Sequence, residues 1–166
     1  MSICPRRWGA DGSFGVVFDS NKRIARVSPD GEILYRIPSR NDPEKGFFFA
    51  NEISFDPAGA LYVASTFIDT STLSVNREAV LRFSPEGRHE AVLFSLEHPP
   101  EAYTDNIGMI RSLQWTPEGL RFCILGEEGI RSLRLDPADG ALLGEALTPS
   151  PVPLSGLIYA TVSEDG

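Results

Sequence analysis

Residues 16–31 read VVFDSNKRIARVSPDG. An apolar run ends at Asp19-Ser20, and a short polar turn follows at Asn21-Lys22. Arg23-Ile24-Ala25-Arg26-Val27 then alternates, and Ser28-Pro29-Asp30-Gly31 sends the chain back into Glu32-Ile33-Leu34-Tyr35. Alternation of period two, bounded by Asn, Pro and Gly, predicts strand–turn–strand–turn–strand.

Outward from this stretch, two kinds of turn recur. The first follows a strand ending in an aromatic or branched residue: Phe55-Asp56-Pro57-Ala58-Gly59, Trp115-Thr116-Pro117-Glu118-Gly119 and Val162-Ser163-Glu164-Asp165-Gly166, with Trp8-Gly9-Ala10-Asp11-Gly12 a looser match. The second follows an arginine: Arg26 with Ser28-Pro29-Asp30-Gly31, Arg82 with Ser84-Pro85-Glu86-Gly87, and Arg134 with Asp136-Pro137-Ala138-Asp139-Gly140. Gly12, Gly59, Gly119 and Gly166 step by 47, 60 and 47, and the three arginines step by 56 and 52. The two kinds strictly alternate. A period near fifty with two hairpins per unit predicts a four-stranded antiparallel module.

The expected strands of module one lie near residues 2–8, 13–18, 23–27 and 32–37. Those of module two lie near 52–55, 60–67, 79–83 and 89–94. Module three has 110–115, 120–125, 130–135 and 141–147. A fourth module begins at 157–162 and reaches Gly166 inside its first turn. No helix is needed. Sheets of this kind repeated radially are the blades of a β-propeller. The expected fold is therefore all-β: three blades (1–46, 47–106 and 107–155) and the first strand of a fourth (156–166). Ile53, Phe55, Leu113, Trp115, Ala160 and Val162 in the innermost strands, and Val16, Phe18, Tyr62 and Phe122 in the second strands, are expected to pack blade against blade.

Asp19-Ser20-Asn21-Lys22-Arg23-Ile24, with Arg26-Val27 and Asp30-Gly31, resembles the NHL repeat, one residue shorter between Asp-Ser and Asn. Residues 51–63, NEISFDPAGALYV, resemble the inner hairpin of the SMP-30/gluconolactonase group. Modules two and three keep only the turns and the apolar alternation. Both resemblances imply a six-bladed ring. Three blades and a strand do not close one, so the chain is expected to be a fragment of a longer propeller, or one half of a ring completed by a second copy, or an open arc against another protein.

The bulk numbers are those of a globular domain: 166 residues, 42% hydrophobic and 23% charged. A net charge of −8 opposes sequence-independent nucleic-acid binding and attraction to anionic membranes. No apolar stretch approaches the roughly 20 residues of a membrane-spanning helix. The first twelve residues hold no apolar segment of signal-peptide type, and the compartment stays open. Cys4 and Cys123 make no disulfide framework and no zinc spacing; both read as small buried apolar residues.

One end of the predicted sheets carries only short turns. The other carries longer connections, at residues 39–48, 68–78, 97–108 and 148–155, and a ligand is expected there. Candidate contacts at that end are Arg40, Asn51, Glu52, Asp69, Arg77, Asp105, Asn106 and Arg111, with Asn41, Asp42, Asn76, Glu78, Tyr103 and Glu127 nearby. The mixture of acids, amides and arginines suits a polar ligand or peptide.

The SMP-30 resemblance implies a divalent cation, such as calcium, held by Glu, Asn and Asp at the channel mouth. Asn51 matches one such Asn. Arg111 stands at the equivalent place in module three, and Cys4 falls where module one would need Glu, so Asn51 is a weak metal candidate by itself. His89 and His98 form no recognisable triad with the many serines and acids. Glu127-Glu128 reads as a solvated turn. Arg26, Arg82 and Arg134 share one equivalent place, either as partners of acids on neighbouring strands or as a repeated anion groove. The sequence thus points to a non-enzymatic binding or scaffold domain, with no cofactor, that recognises a protein, peptide or small polar ligand through its long-loop face. It would serve as the sensory or interaction part of a larger protein. The alternative is a fragment of an SMP-30/gluconolactonase-like metal-dependent hydrolase.

Overall fold

A computed structural model describes residues 7–39, 49–69, 71, 74–98, 110–126 and 129–149. It contains twelve strands in three antiparallel four-stranded sheets. Blade 1 consists of β1 (Arg7–Trp8), β2 (Phe14–Phe18), β3 (Arg23–Val27) and β4 (Ile33–Pro38). Blade 2 consists of β5 (Phe49–Phe55), β6 (Leu61–Asp69), β7 (Ser74–Phe83) and β8 (His89–Glu97). Blade 3 consists of β9 (Ile110–Thr116), β10 (Gly119–Gly126), β11 (Gly129–Leu135) and β12 (Leu142–Pro149). Within each blade the strands pair in chain order, which is the meander of a propeller blade. The chain is an all-β partial propeller. The expected blade boundaries, and the strand at 157–162, lie outside the described residues.

Two apolar clusters join the sheets. Val17, Ile24 and Ile37 of blade 1 meet Ala50, Ile53, Phe55, Leu61, Val63, Phe67, Leu81 and Phe83 of blade 2. On its other face, blade 2 presents Ala60, Tyr62, Ala64, Val80 and Leu93 to Ile110, Leu113, Leu120, Phe122, Ile124 and Leu133 of blade 3. Blade 2 is thus buried on both faces, and residues 61–68 are all buried in succession. A strand covered on both sides reads as a continuous apolar run and loses the alternation of a half-exposed one.

Blade 1 differs from expectation for this reason. In β2 the buried positions are Gly15 and Val17, while Val16 and Phe18 are only half-buried. The face carrying Gly15 and Val17 is the one turned to blade 2. A Cβ at Gly15 would strike Ile53 Cδ1 and the Phe55 ring, so the absence of a side chain lets the inner strand of blade 2 come close. The expected loop 68–78 also proves shorter: β6 runs on to Asp69 and β7 starts at Ser74, so Asn76, Arg77 and Glu78 lie on a strand.

The Asp19-Ser20-Asn21 turn has an unusual backbone. All three residues have positive φ, at 54°, 54° and 68°. Asn and Asp tolerate this region better than other non-glycine residues because their short polar side chains bond locally. Asp19 ion-pairs with Arg23 at 3.2 Å, and the Asn21 carbonyl accepts the Ala50 N–H at 2.8 Å. The turn therefore closes the β2–β3 hairpin and grips the first strand of the next blade.

Candidate functional site

The antiparallel registers put Asn51, Glu52, Asp69, Arg77, Glu78, His98 and Arg111 at one end of the sheets. This is the end opposite the short turns at 56–59, 84–87 and 116–119. The connections 40–48 and 99–109 leave from the same end, as does the chain after Pro149. Arg40, Asp105 and Asn106, with Asn41, Asp42, Tyr103 and Glu127, lie outside the described residues.

The described candidates form a rim held by contacts of its own. Asn51 is the extra residue of a bulge in β5, and its Nδ2 donates to Thr66 Oγ1 at 2.7 Å. Asp69 Oδ1 accepts from the backbone N–H and hydroxyl of Ser71, at 2.8 and 2.6 Å. Arg77 lies 3.3 Å from Glu97 across the β7–β8 pair and 5.7 Å from the centre of the Phe67 ring. Arg111 Nη1 donates to the Ile110 carbonyl at 3.2 Å.

Glu52 does something the sequence did not announce. Its Oε1 accepts the Ser112 N–H and its Oε2 accepts the Leu113 N–H, both at 2.8 Å. Ser112 has φ of 58° and sits in a bulge opposite β10. Two successive backbone N–H groups there converge on one carboxylate, as in an anion nest. Ser54 Oγ adds a third contact of the same kind, accepting the Trp115 N–H at 2.9 Å. Glu52 and Ser54 are thus inter-blade pins from β5 to β9.

Glu78 is fully buried. It lies 3.1 Å from His98 Nε2 and accepts the Ile110 N–H at 3.4 Å. This pairing joins β7, the end of β8 and the start of β9. Spacing alone could not reveal it, since Glu78 and His98 are twenty residues apart on strands whose register is fixed only by folding. The signal available was the equivalence of Ala50 and Ile110, sixty residues apart, whose N–H groups both need an acceptor from the preceding blade.

At the opposite end the equivalent arginines bind the neighbouring blade. Arg26 is 6% exposed; its Nη1 donates to the carbonyls of Gly59 and Pro85, at 3.1 and 3.2 Å. Its Nε donates to Ser13 Oγ at 2.8 Å, its Nη2 meets Asp11 at 3.1 Å, and the Phe55 ring lies 5.1 Å away. Hydrogen bonds from Ser13, then Arg26, hold the Asp11 carboxyl below the usual carboxylate range. Arg82 Nη1 donates to the carbonyls of Pro137 and Ala138, at 3.1 and 3.2 Å, and its Nε lies 2.9 Å from Glu90. All three equivalent arginines pair with an acid, Arg26 with Asp11, Arg82 with Glu90 and Arg134 with Glu118, and Arg26 and Arg82 also donate to backbone carbonyls of the next blade.

The cation implied by the SMP-30 resemblance finds no matching donor set among the described residues. No three His, Cys, Asp or Glu side chains cluster. Glu52 commits both oxygens to backbone N–H groups, Asn51 bonds Thr66, and a cationic Arg111 occupies the equivalent position in blade 3. Cys123 is buried, and burial pushes its thiol pKa up, away from the reactive thiolate.

No protein-family model matches the sequence, and no curated protein matches it either. Solved structures do. A protein of unknown function from Bacteroides caccae superposes with a TM-score of 0.53 at 12% identity, over 90% of this chain and 47% of its own. The β-propeller domain of the Trilobed protease from Pyrococcus furiosus gives 0.50 at 10% identity, covering 89% and 43%. A candidate 6-phosphogluconolactonase from Bacteroides fragilis gives 0.50 at 12% identity, covering 89% and 39%. At these identities the likeness is one of fold, and one of these structures is a β-propeller domain. The chain spans less than half the length of each.

Proposed function

We propose that this chain is a non-enzymatic propeller segment that recognises a protein, peptide or small polar ligand at its loop-bearing end. The observation that carries the reading is the rim itself. Asn51, Asp69, Arg77 and Arg111 are held by contacts within their own blades. Two inter-blade connections and the chain after β12 depart from the same end. Polar side chains fixed on strands beneath longer loops are the usual arrangement of a recognition surface. The NHL-like turn at 19–31 belongs to the same reading, as a structural joint. The hydrolase reading gains no support from the described residues, which bring together no cation donor set, and the lactonase-type neighbour shares only the fold.

The test is thermal unfolding of the purified chain, first with calcium, magnesium or zinc chloride, then with a panel of short acidic and amide-rich peptides. The proposal expects no upward shift with the cations and a shift with at least one peptide class. It expects that shift to vanish in Arg77→Ala or Arg111→Ala and to persist in Pro57→Ala at the opposite end. A cation-dependent shift, with hydrolysis of a simple lactone, would overturn it.

A further inference from the structure

The bulge in β9 is built to receive a carboxylate. The Ser112 backbone has φ of 58°, in the left-handed region that serine enters only under constraint. This conformation turns two successive N–H groups, those of Ser112 and Leu113, toward one point. Each meets one oxygen of Glu52 there, at 2.8 Å. Two converging N–H groups suit an anion with two oxygens, and an amide offers one oxygen where the nest takes two.

Contacts other than those of Glu52 fix the shape of the nest. Ile110 and Leu113 are fully buried in the apolar layer between blades 2 and 3. Glu78 accepts the Ile110 N–H at 3.4 Å, and Ser54 Oγ accepts the Trp115 N–H at 2.9 Å. β10 pairs with β9 on both sides of the bulge, at Arg111 and at Gln114. Glu52 itself is a replaceable occupant. It reaches the nest from another sheet, and both it and Ser112 are half-buried, so solutes can approach. Among the described residues, the two N–H groups are its hydrogen-bond partners. Glu52 follows Asn51 of the rim, and Ser112 follows Arg111.

We propose that the Ser112–Leu113 bulge is a carboxylate-binding site in which Glu52 is the resident ligand, and that the ligand recognised at the loop-bearing end carries a carboxylate that takes its place. The ligand class rests on the function proposed above, whereas the nest stands without it. On exchange, the two hydrogen bonds to Glu52 break and two form to the incoming carboxylate. The Glu52 carboxylate moves into water, and no proton is transferred.

The experiment is thermal unfolding of Glu52→Ala in about 0.2 M sodium acetate, against equal concentrations of sodium chloride and of acetamide. Acetate supplies the free carboxylate, chloride matches its ionic strength, and acetamide is its neutral isostere. Acetate alone is expected to recover about half of the midpoint lost by the substitution. The parent, whose nest is filled from within the chain, is expected to respond alike to acetate and chloride. Ser54→Ala loses a neighbouring pin, leaves the nest filled, and is expected to behave in the same way. If Glu52→Ala does not fold, Glu52→Gln keeps the side-chain length. Acetate is then expected to move the amide resonances of Ser112 and Leu113 more than any other in β9. The acidic peptides test the exchange. Glu52→Ala removes the internal competitor and is expected to bind them about tenfold more tightly than the parent, whereas a simple contact residue would give weaker binding. No effect of acetate beyond chloride and acetamide overturns the nest. Equal or weaker peptide binding by Glu52→Ala overturns the exchange. Peptides that bind neither chain overturn the recognition reading and the exchange with it, and the acetate result still decides the nest.

Discussion

The two blade junctions satisfy the same backbone group in different ways. Ala50 in blade 2 and Ile110 in blade 3 begin equivalent stretches of the inner strand, and both are fully buried. The Ala50 N–H finds the Asn21 carbonyl, presented by a turn of three left-handed residues in blade 1. The Ile110 N–H finds the Glu78 carboxylate, buried beside His98 in blade 2. One junction stores its acceptor in backbone conformation and the other in a side chain. A repeat therefore conserves the place where a bond must be made, while the means of making it can drift. The pins divide accordingly. Blades 1 and 2 rely on buried Arg26 at the short-turn end; blades 2 and 3 add Glu52 and Glu78 toward the loop-bearing end and Ser54 beside the short turns.

The largest expected effect breaks the apolar layer between blades 2 and 3. Phe122 is fully buried with its ring 5.1 Å from Phe94, and Phe122→Ala is expected to destabilise by about 3–5 kcal/mol in urea unfolding. Next comes the buried guanidinium. Arg26→Met removes the donor to Ser13 Oγ and to two carbonyls and is expected to cost about 2–3 kcal/mol. Arg82→Met, at a half-exposed site, is expected to cost less than half of that. The junctions themselves are compared by a pair of variants. Glu78→Ala removes the acceptor and is expected to cost about 1–3 kcal/mol. Asn21→Gly leaves the acceptor in place and suits the positive φ, so stability is expected to stay within about 0.5 kcal/mol of the parent.

Acid titration separates the junctions more gently. The Asp11 carboxyl titrates below the ordinary carboxylate value in the folded chain, so the unfolded chain binds more protons in that window. Its contribution is present above about pH 4 and is lost as the pH falls through the folded value. Asp11→Asn is expected to flatten the fall in the thermal midpoint between about pH 5 and pH 3, whereas Glu52→Gln leaves the slope due to Asp11 unchanged. The smallest effect belongs to Tyr35. Burial pushes its phenol up to about 12, and its hydroxyl has no hydrogen-bond partner among the described residues. Tyr35→Phe is expected to change stability by less than about 0.5 kcal/mol, because no bond is lost with the oxygen.

The fold was legible because blade architecture is written in local features. The turns ending in Gly59, Gly87, Gly119 and Gly140 fix where strands begin, and alternation fixes their type. The pins were not legible, because they depend on which strand of one blade faces which strand of the next. Glu52 and Ser112 are sixty residues apart, and no spacing rule ties a carboxylate to a bulged strand in another sheet. The arginines at 26, 82 and 134 show the boundary well. Their equivalence was visible as a repeat, but Arg26 and Arg82 reach carbonyls of the next blade, which every residue carries and which no sequence pattern can single out. Val16 and Phe18 were misjudged for a related reason. Apolar residues alternating with Gly15 and Val17 leave open which face of β2 meets the neighbour, and the small Gly15 marks the face that does.

The central claim is that each blade satisfies the leading amide of the next through an acceptor at one equivalent place. Amide hydrogen exchange of Ala50 and Ile110, resolved residue by residue, tests it most directly. Both amides are predicted to exchange as slowly as the paired amides of β6. Glu78→Ala is predicted to speed Ile110 at least tenfold and leave Ala50 unchanged. Fast exchange at Ile110 in the parent chain, or an unaltered Ile110 in the variant, would contradict the account.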